Sequence, residues 1–378
     1  MKYISKFIGL NSEVVKGYSI TSEECINGST EKLWSIYSGK RTKDNFEVSI
    51  FVLKKQKMAQ RSNNTEQMIT MLKNEAQTLM RLRHPNFLKI LEPVYEDAKQ
   101  ILYITEKVET TLQLVLKNKD SLHLQDEIQL KVNLKDIIEG LQFLNKGLKT
   151  VHLNICPENI FICNDGKWKI GGCMFAQMLY DDESKGYNKI DPGLPIKPNF
   201  AYASFSHFED INDTADIFSL TLVLYHIFAV IKQKALLLPE RITNQKEAIV
   251  YLDQIIGIKK GMVLEVFPSE LKNICNKILN QKPIGIYHKD LLENAWFDDP
   301  RIKILDFINV FITKSPQEQK DFICALSHYI HTFKPNLLEN IIVPFLKFHV
   351  NNDQVNIYIL SLLLLIIEKH LIEPKSIR

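Results

Sequence analysis

The sequence predicts a bilobal α+β chain of a small β-rich lobe and a larger helical lobe, followed by a short α-solenoid. Three observations carry that prediction. Short β-branched and aromatic runs cluster before residue 109. Asp216–Ile231 (DIFSLTLVLYHIFAVI) is apolar almost all round, the mark of a helix through the middle of a core. From Trp296 onward, amphipathic or apolar helices follow one another with short polar breaks. The expected boundaries are 1–109, 110–298 and 299–378.

In chain order, Lys32–Lys40 (KLWSIYSGK) and Glu47–Lys55 (EVSIFVLKK) read as two strands joined by a polar, turn-prone stretch. Leu72, Ala76, Leu79 and Met80 then recur at helical spacing, and RHPN (Arg83–Asn86) closes that helix with a proline stop. Ile101–Val108 (ILYITEKV) reads as a buried strand. Leu134, Ile137, Ile138, Leu141 and Leu144 mark one apolar helix face. The last stretch contains RIKILDFINVFI, QKDFICALSHYIHTF, NLLENIIVPFLKFHV and NDQVNIYILSLLLLIIEKHL, divided by breaks such as TKSPQEQ and HVNNDQ. Helix pairs repeating at about 40 residues suggest HEAT-like units. Ile357–Ile367 is interrupted by Ser361 and is shorter than the ~20 residues of a spanning helix, so it is expected as a buried solenoid helix. The chain ends soon after it without a polar cap, which predicts either a very short solenoid or a truncated member of a longer design.

The charge balance narrows the function classes. With 47 basic and 44 acidic residues mixed along 378, the net charge of +3 gives no electrostatic case for nucleic acid. The six cysteines (Cys25, Cys156, Cys163, Cys173, Cys275, Cys324) form no CxxC and read as reduced cytosolic thiols. MKYISKFIGLNSE has no apolar core of signal-peptide length, and a soluble protein is expected.

The informative stretch is VHLNICPENIF (Val151–Phe161). It resembles the catalytic loop of protein kinases, His-Arg-Asp followed by Lys-Pro-x-x-Asn. The remaining parts of that chemistry can be sought in chain order. A phosphate-covering loop wants several glycines; ECINGSTEKLW keeps Gly28 but puts Glu31 and Lys32 where smallness is needed. Val48, Ser49 and Ile50 fit a Val-Ala-Ile-Lys strand, whose lysine position is Phe51. Strand alternation makes Lys54 or Lys55 an awkward replacement. Glu75 is at the place of the helix glutamate that would pair with that lysine. Without the partner it reads equally as a solvated helix carboxylate.

His152 is retained, Leu153 replaces the arginine, and Asn154 replaces the base. An amide has no useful basicity at neutral pH, and losing a positioned base costs about 10²–10⁴-fold. Asn159 could give magnesium one oxygen. The Asp-Phe-Gly positions hold Gly172, Cys173 and Met174, and glycine cannot ligate a hard cation. Asp181 and Asp182 read as a solvated loop. The Ala-Pro-Glu positions are Ala203, Ser204 and Phe205, and the arginine that would pair with the glutamate is Ile286. Replacing both partners of a buried pair by apolar groups can be neutral, so Phe205 and Ile286 are expected to touch. Asp216 is expected to hold the loop backbone.

No catalytic residue and no metal site is therefore expected, with Asn159 the sole metal candidate. No cofactor is expected either. If ATP binds, it binds without magnesium-dependent catalysis through Gly28, Thr105, Glu106, Val108 and Asn159, the hinge strand holding adenine.

VSIFVLKK, HLNICPENIF, DGKWKIGG, and WFDDPRIKILDFI with QKDFICALSHYI resemble the SCY-like pseudokinases. The opening NGSTEKLWSIYSG is closest to their coated-vesicle-associated branch. The resemblance covers essentially the whole chain. It implies a degraded protein-kinase-like domain with HEAT-type repeats. It further implies an adaptor in clathrin- or Golgi-linked traffic, cytoplasmic or peripheral on Golgi, endosomal or coated-vesicle membranes, with coat or adaptor proteins as partners. Two other readings stay open: a divergent serine/threonine kinase using Asn159 and a relocated carboxylate, and a nucleotide-binding switch without transfer. Lys54, Lys55, Lys57 and Arg61 read as a solvated connector or a contact for anionic lipid.

Overall fold

The computed structural model describes residues 17–28, 33–59, 64–118, 124, 126–179, 190–191, 193–204, 211–280, 287–369 and 371. Two compact units are present. One comprises 1–125 with 133–294, the other 126–132 with 295–378.

The first unit opens with β1 (Tyr18–Gly28), β2 (Trp34–Arg41) and β3 (Glu47–Lys54). Two helices follow, α1 (Lys55–Ala59) and α2 (Thr65–Arg81), then β4 (Ile90–Glu96) and β5 (Gln100–Glu106). The five strands form one antiparallel sheet in the order β1-β2-β3-β5-β4. Every residue from Val48 to Leu53 is buried, because central β3 has both faces covered. Val48, Ile50 and Val52 pack with Ile20, Tyr37, Leu102 and Ile104 on one face. By alternation, Ser49, Phe51 and Leu53 point to the other.

Two strands of this sheet escaped the sequence reading. β1 is polar and interrupted in register, and β4 carries Pro93 in an exposed edge, so neither shows an apolar run. In α2, Met68, Met71, Leu72, Glu75, Ala76 and Leu79 are buried. Met80, which the spacing put on the inner face, is 39% exposed.

Past β6 (Val108–Thr111), α3 (Leu112–Lys117) and α4 (Glu127–Gln142), a short ribbon pairs β7 (Thr150–Val151) with β10 (Gln177–Met178). Within it lie β8 (Ile160–Cys163) and β9 (Trp168–Ile170), which form a three-stranded sheet with β6. α5 (Ala215–Ile231) is buried from Ala215 through Ala229, which is why its sequence is apolar on every side. Its Ser219 and Thr221 hydroxyls donate to Ala215 O and Ile217 O one turn back. α6 (Gln245–Asp253), α7 (Lys260–Glu265), α8 (Ser269–Leu279) and α9 (Tyr287–Leu292) complete the helical part.

In the second unit, α10 (Pro300–Val310) and α11 (Pro316–Tyr329) each begin with proline after a capping residue. Asp299 caps the first, and Ser315 with Glu318 forms a capping box on the second. Pro335–Leu337 leads through a π-turn into α12 (Val343–His349), and α13 (Asn356–Glu368) follows. Phe311, Leu326, Leu338, Leu346, Ile359 and Ile366 build the core, with Ile128 from the start of α4.

The expectation that Ile357–Ile367 is a buried helix needs correction. Ile359, Leu362, Leu363 and Ile366 are buried, whereas Ile357, Leu360 and Leu364 are exposed. Only one side of this mostly apolar helix is covered by the helices described. Among the described residues, no helix is long and apolar enough to cross a membrane.

Candidate functional site

Phe51 projects from β3 into a cluster of rings. It stacks on its cross-strand neighbour Tyr103 at 4.7 Å between centroids and meets Phe161 of β8 edge-on at 5.7 Å. Trp34 of β2 packs edge-on against both Tyr103 and Phe51. Offset and edge-on pairs of this kind are favourable beyond the area they bury, by roughly 0.5–1.5 kcal/mol each. The place a lysine would need for phosphate oxygens is therefore packed hydrocarbon.

Glu75 lies beside this cluster and is buried, so the solvated-carboxylate reading fails. Its Oε2 accepts a hydrogen bond from Trp34 Nε1 at 3.1 Å, the indole taking the role a cation would have had. Burial raises its pKa to about 7, and the indole bond lowers it only partly.

Below the cluster, Asp216 at the start of α5 organises the loop. Its carboxylate accepts from the backbone N–H of His152 (2.7 Å) and Leu153 (2.9 Å) and from Asn145 Nδ2 (2.7 Å). Asn145 Oδ1 in turn meets His288 Nε2 at 2.9 Å. Leu153 sits at φ +62°, a left-handed conformation costing a non-glycine residue about 1–2 kcal/mol, and the paired bonds to Asp216 hold it there. His152 Nε2 lies 2.8 Å from Gly171 O, and its Nδ1 accepts from Asn154 N–H, so the proton belongs on Nε2. Burial lowers the pKa of His152 and keeps the ring neutral, outweighing nearby Asp216.

Asn154, at the base position, is a structural link. Its Oδ1 accepts from the Asn199 N–H at 3.1 Å. The Asn199 side chain then receives Ala201 N–H and Ile242 N–H and donates to Glu240 O. The amide thus joins the loop to the segment facing it.

The magnesium positions have collapsed onto each other. Gly172 has φ +68°, and a Cβ built on it would lie 2.3 Å from both Cγ and Oδ1 of Asn159. Asn159 itself donates through Nδ2 to Asn154 O at 2.9 Å. At Gly171, a Cβ would fall 2.4 Å from the Phe161 ring. Asn159 fills the volume an aspartate would occupy, so these residues do not fit a hard cation. Among the described residues, no group of three or more His, Cys, Asp or Glu side chains is gathered for a metal.

The hinge is engaged as well. Val108 N–H donates to Ser49 Oγ at 2.9 Å, and Thr105 Oγ1 donates to Glu106 O at 2.8 Å. Gly28 ends β1 opposite Trp34. Lys55 is paired with Glu96, which also holds Lys73.

The sequence pattern described as protein tyrosine and serine/threonine kinase matches residues 31–283. The chain belongs to that kinase family. Its relatives further refine the assignment to the SCY-like proteins. It is 25% identical to the Saccharomyces cerevisiae protein kinase-like protein SCY1 across 92% of this chain and 46% of the relative. To human SCY1-like protein 2 it is 27% identical, over 95% of this chain and 41% of the relative. It is also 24% identical to a Dictyostelium discoideum protein named "Probable inactive serine/threonine-protein kinase scy1", over 96% of this chain and 41% of the relative. The chain thus spans less than half the length of these relatives.

Against the kinase pattern, the structure gathers Phe51, Glu75, His152, Asn154, Asn159, Gly172 and Asp216 within the first unit. Thr105, Glu106 and Val108 form the strand and hinge alongside. Phe205 and Ile286, and with them their expected contact, lie outside the described residues, as do Asp181, Asp182 and Arg61. Sequence reasoning missed Ser49, Trp34, Tyr103, Phe161, Asn145, Asn199 and His288. The signal for Ser49 is present in the sequence: it occupies the alanine of Val-Ala-Ile-Lys and adds a hydroxyl there.

Proposed function

We propose that this protein is a catalytically silent member of the kinase family that serves as a scaffold for other proteins. One observation carries the reading: Asn159 fills the volume of the absent metal-ligating aspartate at Gly172, while Phe51 packs into the lysine position. Positioning, metal and base are lost together, and the residues left behind pack on their neighbours or, as Asn159 and Asn154, bond to each other. The reading assigns the protein to the cytoplasmic face of membrane traffic, as an adaptor for clathrin- or Golgi-linked carriers with coat or adaptor proteins as partners. The SCY-like resemblance supports that assignment, while the Dictyostelium discoideum relative named as a probable inactive kinase supports the silent cleft.

Incubating the full chain with γ-labelled ATP, magnesium or manganese, and generic serine/threonine substrates tests the silent cleft. No label should enter substrate or protein. Incorporation by the wild-type chain that disappears in Asn159→Ala, the sole metal candidate, would overturn the reading. For the trafficking role, the chain should co-sediment with coated vesicles and be released with their coats. Failure to sediment would leave a scaffold with other partners.

A further inference from the structure

The loss of phosphoryl-transfer groups does not by itself exclude a nucleotide. Many features of the cleft could coexist with adenine. Ser49 could not. Its hydroxyl accepts the Val108 N–H at 2.9 Å and faces Val108 O at 3.4 Å, so one hydroxyl meets both a backbone donor and a backbone acceptor. The edge of a purine offers the same pair of functions. Ser49 and Val108 are each 1% exposed.

The spacing agrees. A flat ring inserted between two walls needs about 3.5 Å of carbon contact on each face, and so about 7 Å between them. Here the roof strand β3 touches the far side directly twice, through Ser49 to Val108 and through Phe51 to Phe161 at 5.7 Å between centroids. Thr105 supplies a second internal partner by donating to Glu106 O, the other backbone acceptor of the hinge.

We propose that Ser49 is an intramolecular stand-in for a purine, and that with Phe161 it seals a latent site for adenosine-like flat heterocycles. The site needs neither phosphate nor metal, because its recognition groups are the hinge backbone and the aromatic walls. This rests on the reading of the cleft as catalytically silent, but the two fail differently. Phosphoryl transfer would defeat both. Binding without transfer would defeat only the seal.

The experiment uses the full chain as wild type, Ser49→Ala and Ser49→Ala/Phe161→Leu. Melting and calorimetric titration are read with adenosine, with and without magnesium, and with Mg-ATP. The wild type should ignore all of them. The double variant should be stabilised saturably by millimolar adenosine, equally with and without magnesium. In Ser49→Ala alone, hydrogen exchange at the Val108 amide should accelerate at least about fivefold, the loss of one net hydrogen bond. Wild-type stabilisation by adenosine or ATP would overturn the proposal. So would an unchanged Val108 exchange rate, or a cooperatively folded double variant indifferent to adenosine. Should the double variant not fold, the exchange measurement decides alone.

Discussion

The roof of the cleft and the loop beneath it have met opposite fates. Around Phe51 rings stand where a kinase carries charged groups, and the buried carboxylate of Glu75 has an indole for a partner. Around Asp216 the polar groups persist with their bonds, from His152 and Leu153 through Asn145 to His288. The difference separates two jobs that a working kinase asks of the same region. Groups that only meet a phosphate can be exchanged for packing. Groups that hold strained backbone cannot, because the buried N–H donors would be left without acceptors.

Substitutions at four positions would break or sharpen that contrast. The largest effect is expected for Asp216→Ala. It strands three donors at once, each hydrogen bond to a charged acceptor being worth about 1.5–3 kcal/mol, so stability should fall by about 5 kcal/mol or more. Asp216→Asn should retain part of it. Denaturant unfolding measures both, and a loss below about 1 kcal/mol would show that Asp216 is dispensable.

Next is Phe51→Lys, the nominal restoration of the family's lysine. The lysine stem refills part of the volume whose complete loss costs about 3–5 kcal/mol, and the desolvated ammonium offsets that saving. We expect a destabilisation of about 4 kcal/mol and no gain of phosphoryl transfer. A variant as stable as wild type would mean that the rings are loosely held.

Gly172→Asp should cost about 3 kcal/mol, from left-handed strain together with overpacking against Asn159. Its melting temperature should not respond to millimolar magnesium. A magnesium-dependent rise would show that the metal position reopens on demand.

The gentlest change, Glu75→Gln, should stabilise the protein in a pH-dependent way. Burial puts the folded pKa of Glu75 at about 7, above the usual 4.5, so the native state binds the extra proton between these values. Wild-type stability from this group is fully present below pH 4.5 and is lost as pH rises through about 7. The glutamine variant avoids that loss, gaining about 2 kcal/mol at pH 6 and about 3 above pH 7. Equal stabilities across this range would mean that Glu75 ionises freely in the fold.

The sequence shows some of this plainly and conceals the rest for physical reasons. The buried α5, the inner face of α4 and the identities at Phe51, Asn154 and Gly172 are visible because they rest on periodicity or on a motif position. Glu75 was ambiguous, since a carboxylate on a helix says nothing about what covers it. Met80 and α13 show the same gap: periodicity or an apolar run gives the side chains available, while tertiary contacts choose which are covered. β1 and β4 stay hidden because edge strands need little apolar surface. Ser49 was overlooked because one hydroxyl changes neither size nor polarity class enough to break a pattern, yet it reaches the hinge amide.

The partition of α4 has a consequence for dissection. Its first turns, within 126–132, belong to the second unit, where Ile128 joins the core, while the remainder belongs to the first. No single cut in the polypeptide yields both units whole. A fragment ending at 294 would carry off Ile128 as an orphaned apolar side chain, and its complement would begin with a hole. Limited proteolysis should therefore release the C-terminal helices only together with a nick near residue 132, or as a fragment that no longer holds its fold.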